Sequence, residues 1–341
     1  MLKPLLGLLA MLGAALLVLF WKPTYEALHI GNTMGTTYRV KWLSNQGTEG
    51  TQEIRAGIDD QLEDINRRMS TYLPDSELSR FNRSSDSDWF AVSVPTAEVV
   101  KEALRIADLT QGAFDPTIGP LVDLWGFGSG EDRIEPPSDQ EIAATISRIG
   151  FERLELRGDA PALRKQAADL EIDLSAIAKG YAVDRVAGFL AGHEVENFMV
   201  EVGGEVRAQG QSLADRPWRV AVERPHIDKP VAHRVLPLSD LAMATSGTYR
   251  NYFDAGGRRY SHTIDPASGW PIDHHTISVS VVHPSCMTAD ALATALLVLG
   301  ADRGLRLAEK NGWTVLFIRE KNDRIEEIKT SQFRGRFGKQ P

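Results

Sequence analysis

Cysteine is almost absent: Cys286 is the only one in 341 residues. A lone thiol excludes an intramolecular disulfide, a cysteine-based zinc site and an iron–sulfur centre built within the chain. Between Ser285 and Met287 it reads as a small packing residue, with no recognisable partner that would activate it as a nucleophile. An excess of positive charge is missing too. The formal net charge is −8 and the pI about 5.6, so no surplus of cations exists to displace counterions from a nucleic-acid backbone, and nucleic acid is not an expected partner. The small basic group Arg334, Arg336 and Lys339 reads as a solvated tail. There is no internal repeat, no long low-complexity stretch and no Walker A loop.

What is present is enough apolar sequence, 43% of residues, to bury a large core. One apolar run stands apart. Leu5 to Trp21, preceded by Lys3, is near the short end of what crosses a bilayer as a helix. It closes with Leu17, Val18, Leu19, Phe20 and Trp21 instead of the small residues that precede a signal cleavage site. The expectation is an uncleaved N-terminal transmembrane anchor over residues 1–22 in the inner (cytoplasmic) membrane, with a single domain over 30–341 on the extracytoplasmic side. Lys3 and Lys22 flank both ends, so charge bias alone does not orient it.

Beyond the anchor, Thr36 to Leu43 reads as a strand, and Ile54, Ile58, Leu62, Ile65 and Met69 mark one face of a helix. Thr96 is a candidate cap for a helix through Leu109, and Ser138 with Glu141 makes a capping-box pattern for another that stops at Gly150. A helix is expected from Ala178 to Leu190. Strands are expected at Phe198–Val202, Trp218–Val222, Thr276–Val282 and Thr314–Ile318, and late helices at Thr288–Leu299 and Ala301–Lys310. Strand runs and helices are mixed without strict alternation, which favours an α+β fold over a doubly wound sheet.

Five groups of residues interrupt the apolar periodicity with Gly, Asp, Ser, Thr and His, where binding groups on a rigid scaffold are expected. Gly31 to Tyr38, G-N-T-M-G-T-T-Y, permits close backbone approach and offers Met34 as an adaptable apolar group, or is a plain turn. Met69 to Asn82 leaves a helix with Tyr72, which could stack on a flat ring. Gly112 to Leu121, G-A-F-D-P-T-I-G-P-L, restricts its backbone around Phe114 and Asp115, although an aspartate before proline also simply makes a turn. Asp173 to Asp184, D-L-S-A-I-A-K-G-Y-A-V-D, runs into a helix and brings free N–H groups together with Lys179, a place that suits phosphate.

The last group is A-T-S-G-T-Y at Ala244, Y-S-H-T-I-D-P-A-S-G at Tyr260 and T-A-D-A-L-A-T-A at Thr288. On a helix, Asp290 and Thr294 project from one face and offer oxygens suited to Mg²⁺. His262 is a candidate proton acceptor, with Asp265 as its orienter or as a turn former. His274 and His275 are adjacent and point apart in an extended chain, so they do not read as a metal pair.

In order along the chain, M-G-T, S-x-Y-x-x-x-S-x-L-S-x-F-N, G-A-F-D-P-T, D-L-S-A-I-A-K-G-Y-A-x-D, V-x-V-G-G-E, S-G-x-Y and H-x-I-D-P-x-S-G together resemble the ApbE family of FAD:protein FMN transferases, from about Gly31 to Leu316. The resemblance implies an α+β, antiparallel-sheet-rich, T-fold-like domain with packed helices. It implies that Met34, Tyr72, Ala113, Phe114, Asp115, Lys179 and Ile264 line an FAD site, and that the Ala176 carbonyl, Asp290 and Thr294 hold Mg²⁺. Many family members carry a lipid-attachment cysteine directly after the signal; none precedes Cys286 here, which agrees with an uncleaved anchor.

The implied reaction is attack of a Thr or Ser hydroxyl of an acceptor flavoprotein on the FMN phosphorus of FAD, with AMP leaving. Positioning and charge neutralisation carry most of such catalysis, and His262 is the candidate catalytic base. The expected acceptors are subunits of exported or membrane respiratory complexes. Two alternatives remain open at this level: an FAD pyrophosphatase that uses water in the same site, and a non-catalytic flavin-binding or delivery protein.

Overall fold

The structure is a computed structural model that describes residues 24–128, 133–225, 231–249, 251–322 and 324–338. The expected anchor at 1–22 lies outside the described residues. Among these, no helix is long and apolar enough to cross a membrane.

An eight-stranded sheet organises the molecule. Its strands follow the spatial order Tyr25–Thr33, Thr36–Ser44, Phe198–Val202, Glu205–Gln209, Leu241–Gly247, Thr276–His283, Thr314–Lys321 and Arg324–Lys329. Every neighbouring pair is antiparallel, which makes the fold α+β as the order of elements predicts.

Helices Thr48–Met69, Val94–Leu109, Ala178–Gly192 and Cys286–Lys310 bury their apolar faces in one core against the sheet. Ile54, Ile58, Leu62, Ile65 and Met69 are the buried stripe of the first, as their spacing predicts. The hairpin Trp218–Glu223 and Ala232–Leu238, with helix Ser331–Phe337, covers the sheet's other face in a second core that includes Trp218, Val220, Leu236 and Phe333. Thr276–His283 is therefore buried on both faces up to Val282, with the small hydroxyl residues Ser278 and Ser280 buried among Ile277, Val279, Val281 and Val282.

Three helix boundaries differ from their expected places for local reasons. Ser93, not Thr96, caps Val94–Leu109: the Ser93 hydroxyl accepts the Thr96 N–H, and Pro95 occupies the first turn, where no N–H is needed. Ser285, not Thr288, caps the last long helix in the same manner. That helix is continuous from Cys286 to Lys310 except at Gly300, whose φ of 68° and ψ of 169° bend the chain between the two segments expected there. The capping box at Ser138 and Glu141 forms as read, but its helix ends at Ile146 instead of Gly150.

Candidate active site

The sheet opens in its middle. Leu241–Gly247 pairs with Glu205–Gln209 only through Leu241, Ala242 and Met243, and beyond Met243 it keeps only the partner on its other side. A cleft of about 1770 Å³ enters the gap, with Gly203, Gly204 and Glu205 on one bank and Thr245, Ser246 and Gly247 on the other. The near bank is shaped by a two-residue hairpin turn. Val202 faces Glu205, and Gly203 and Gly204 take positive φ of 62° and 106°, the conformation such tight turns need.

Two helices bring charge to this opening. Helix Ala178–Gly192 contributes Lys179 from its first turn, and helix Cys286–Lys310 contributes Asp290 and Thr294 from one face. Gly180 lets the two approach: a Cβ there would lie 2.4 Å from the Cys286 carbonyl oxygen and 2.8 Å from the Asp290 Cβ. The Gly180 N–H donates to Asp290 Oδ2 at 2.9 Å, and Lys179 Nζ stands 3.7 Å from Asp290 Oδ1 and 3.4 Å from Glu205 Oε1.

Burial pushes the Asp290 and Glu205 carboxyls up, and Lys179 offsets part of that rise. For Lys179 burial acts against the charged form, but the two carboxylates outweigh it and hold its pKa above the ordinary lysine value. One cation thus serves two buried acids. Among the described residues the Oε2 atom of Glu205 is buried without a hydrogen-bond partner, and the Thr294 hydroxyl meets the Ser246 hydroxyl at 3.0 Å.

Among the described residues no group of three or more His, Cys, Asp and Glu side chains is placed to hold a metal. The expected magnesium set is of another kind, with one carboxylate, one hydroxyl and one carbonyl. Asp290, Thr294 and Ala176 all line the cleft. Oxygen donors of this type, beside an orphaned carboxylate oxygen, fit a hard cation.

Of the residues expected at an FAD site, Tyr72, Ala113, Phe114, Asp115, Lys179 and Ile264 line the same cleft. Tyr72 is 66% exposed, an aromatic face open to a planar partner. Both Asp115 oxygens are engaged: Oδ1 accepts from the Thr117 N–H and hydroxyl, and Oδ2 from the Phe151 N–H. Asp115 therefore shapes its loop. Met34 is the departure. It does not line the cleft but sits half-buried in the turn between the first two strands, at a φ of 49° that is costly for a residue with a Cβ.

His262 also lines the cleft. Its Nδ1 lies 3.0 Å from the Asn251 carbonyl oxygen, which can only accept, so Nδ1 carries the proton and Nε2 presents a lone pair. Burial lowers its pKa below the ordinary histidine value, against the pull of that hydrogen bond. Asp265 does not orient it. Its Oδ1 accepts from the Ala267 N–H and its carbonyl from Gly269, so it builds the turn after Ile264. Cys286 is fully buried and burial drives its thiol pKa well up, consistent with a packing role.

A model of the ApbE family matches residues 34–317. The chain belongs to the ApbE family. It is 45% identical over 327 residues to a Vibrio cholerae protein named FAD:protein FMN transferase, across 96% of this chain and 97% of that one. It is 40% identical to a Haemophilus influenzae protein of the same name, across 93% of each. The solved flavin transferase ApbE of Vibrio cholerae superposes with a TM-score of 0.86 over 92% of this chain and 100% of that one, at 45% identity. The apo form of the Pseudomonas stutzeri flavinyl transferase ApbE does so with 0.84 over 93% and 98%, at 37% identity.

Two residues, Glu205 in the lining of this ApbE-family cleft and Asp184 behind it, take on roles that local sequence does not reveal. Glu205 ends the V-x-V-G-G-E motif, where a charged residue directly after a glycine turn between apolar strands signals a carboxylate held in place. Asp184 closes the Lys179 motif. Its Oδ2 accepts from the Ser285 hydroxyl and the Met287 N–H, and its Oδ1 pairs with Arg207 at 2.6 Å. It anchors the start of the helix that carries Asp290.

Proposed function

We propose that this chain transfers FMN from FAD to a Thr or Ser hydroxyl of an acceptor flavoprotein, with AMP as the leaving group. The observation that carries the reading is the convergence, in the cleft of an ApbE-family fold, of an oxygen-donor set, a cation and a histidine with a free Nε2. At about 1770 Å³ the cleft exceeds the roughly 300–1,000 Å³ of sites for drug-sized ligands, which suits a dinucleotide such as FAD.

Asp290, Thr294 and the Ala176 carbonyl would hold Mg²⁺, which when bound neutralises pyrophosphate charge as the leaving group departs. The rest is done by the chain. Lys179 and the N-terminal turn of Ala178–Gly192 offer positive charge to phosphate oxygens. Tyr72 stacks on a ring of the dinucleotide, and Ala113, Phe114 and Ile264 line the pocket around it. His262 Nε2 accepts the acceptor's hydroxyl proton as the oxygen attacks the FMN phosphorus, while the anhydride bond breaks and its bridging oxygen leaves with AMP.

The apolar run from Leu5 to Trp21 supports a tether to the inner membrane that keeps this domain on the extracytoplasmic side, near subunits of exported or membrane respiratory complexes as acceptors. Incubating the full-length protein with FAD, Mg²⁺ and such subunits, then running a denaturing gel, tests the function. Covalent flavin fluorescence on an acceptor with wild type and its loss with Asp290→Asn support the reading; release of free FMN and AMP with no labelled acceptor refutes it.

A further inference from the structure

Strand Trp218–Glu223 forms a two-stranded sheet with Ala232–Leu238, and among the described residues no strand pairs with its other edge. The direction in which that edge offers hydrogen bonds follows from one residue. Arg219 lies opposite Pro237. Proline has no N–H, so this pair is one of the non-bonded positions of the antiparallel ladder, and Ala221, two residues on, is another. The N–H and C=O groups of Arg219 and Ala221 therefore point away from the partner strand.

They point toward the cleft. Arg219, Val220 and Ala221 line it consecutively, although Val220 turns its side chain into the second core while Arg219 and Ala221 are exposed. Side chains alternate between the two faces of a strand, so a backbone edge that faces the space accounts for three successive residues bordering it. The same cleft continues past Glu205 to Asp290 and Thr294. Unpaired strand edges are normally blunted by proline, bulges or a covering element; here Pro217 precedes the strand and a register irregularity falls between Val222 and Glu223, which leaves Arg219 to Ala221 as the regular stretch between them.

We propose that the free edge of Trp218–Glu223 receives an extended segment of the acceptor polypeptide as an added strand, which delivers its hydroxyl into the cleft. This rests on the FMN-transfer reading and names how the second substrate is held. Main-chain hydrogen bonds from Arg219 and Ala221 supply the docking.

The test uses an acceptor labelled in the gel assay and a short synthetic peptide spanning its flavinylated residue. Hydrogen exchange at the Arg219 and Ala221 amides should slow when that peptide is added to the full-length protein, while the amides of the edge strand Tyr25–Thr33 do not change. Ala221→Pro removes one edge donor without touching the ladder to Ala232–Leu238, and should raise the acceptor KM about tenfold with little change in kcat or in FAD affinity. Unchanged exchange at both amides together with a wild-type acceptor KM for the proline variant overturns the docking edge while leaving FMN transfer standing. Should the variant fail to fold, exchange in the wild type decides alone. If no acceptor is labelled and FAD is split by water, the transfer reading itself falls and the docking edge falls with it.

Discussion

The Asp290 carboxylate accepts the Gly180 N–H at 2.9 Å, a bond between the helix that carries the expected metal ligands and the first turn of the helix that carries Lys179. The return connection runs from Asp184 to the Met287 N–H at 3.0 Å. Each helix thus places a carboxylate at the other's N-terminus, where free N–H groups and the helix dipole favour negative charge. The pair locks the register of Lys179 against Asp290 and Thr294.

Gly180→Ala tests that register. The added methyl would fall inside the Cys286 carbonyl and the Asp290 side chain, so the helices must separate. Stability should fall by about 1–3 kcal/mol in thermal or urea unfolding, and FMN transfer should fall further than an equally destabilising change far from the cleft.

Asp290→Asn keeps an oxygen for the Gly180 N–H but removes the only carboxylate of the expected donor set. Loss of a mere outer partner of a metal ligand costs about 10–100-fold in affinity, so the Mg²⁺ concentration for half-maximal transfer should rise by at least that much. Calorimetric titration of Mg²⁺ into the FAD-loaded protein gives the same comparison without turnover. Chelation of the wild type should reproduce the loss reversibly.

His262 should act as a base only when neutral. Burial lowers its pKa from the ordinary value, so protonation, and with it loss of activity, should occur on the acid side of about 6.5. The kcat/KM profile of the wild type should show that acid limb, and His262→Gln should lack it while losing about 10²–10⁴-fold in kcat with FAD binding retained. A variant with full activity and an unchanged profile removes His262 from the reaction.

Glu327 links the outer strand Arg324–Lys329 to the hairpin over the sheet. It accepts from Arg234 at 3.1 and 2.9 Å. Burial acts to raise its pKa, but bonds from Arg234 and Lys329 outweigh this and bring it down to about 2 from 4.5. A depressed carboxylate stabilises the fold above its unfolded value and loses that contribution as pH falls. Glu327→Gln should therefore be less stable than wild type by about 2 kcal/mol at neutral pH. The gap should close between about 4.5 and 2, read by unfolding both proteins across that range.

Local pattern accounts for much of this architecture. The stripe from Ile54 to Met69, the Ser138 capping box and the strands Thr36–Ser44, Phe198–Val202, Thr276–His283 and Thr314–Lys321 follow from spacing and cap chemistry, whereas Glu205–Gln209 and Leu241–Gly247, the two strands at the middle of the sheet, do not. Boundaries set by competition between two capping residues three apart do not: Ser93 and Thr96 are both good caps, and Pro95 decides between them by favouring the first turn. Within the cleft, Lys179, Asp290 and Thr294 stand together because two helices touch at Gly180, across a separation of 110 residues for the Gly180 and Asp290 bond. No local periodicity encodes that approach, which is why Asp184 and Glu205 carry no role until the packing is seen. Met34 shows the opposite case, a motif residue whose strained turn holds it beside the cleft's threonines without placing it in the lining.

The most direct measurement of the central claim is the stoichiometry of AMP against protein-bound FMN, with FAD and Mg²⁺ and with or without acceptor. FMN transfer predicts one AMP for each FMN covalently bound, and almost none when the acceptor is omitted. AMP release at the same rate in both mixtures, with free FMN as its companion, would contradict the account and make water the true second substrate.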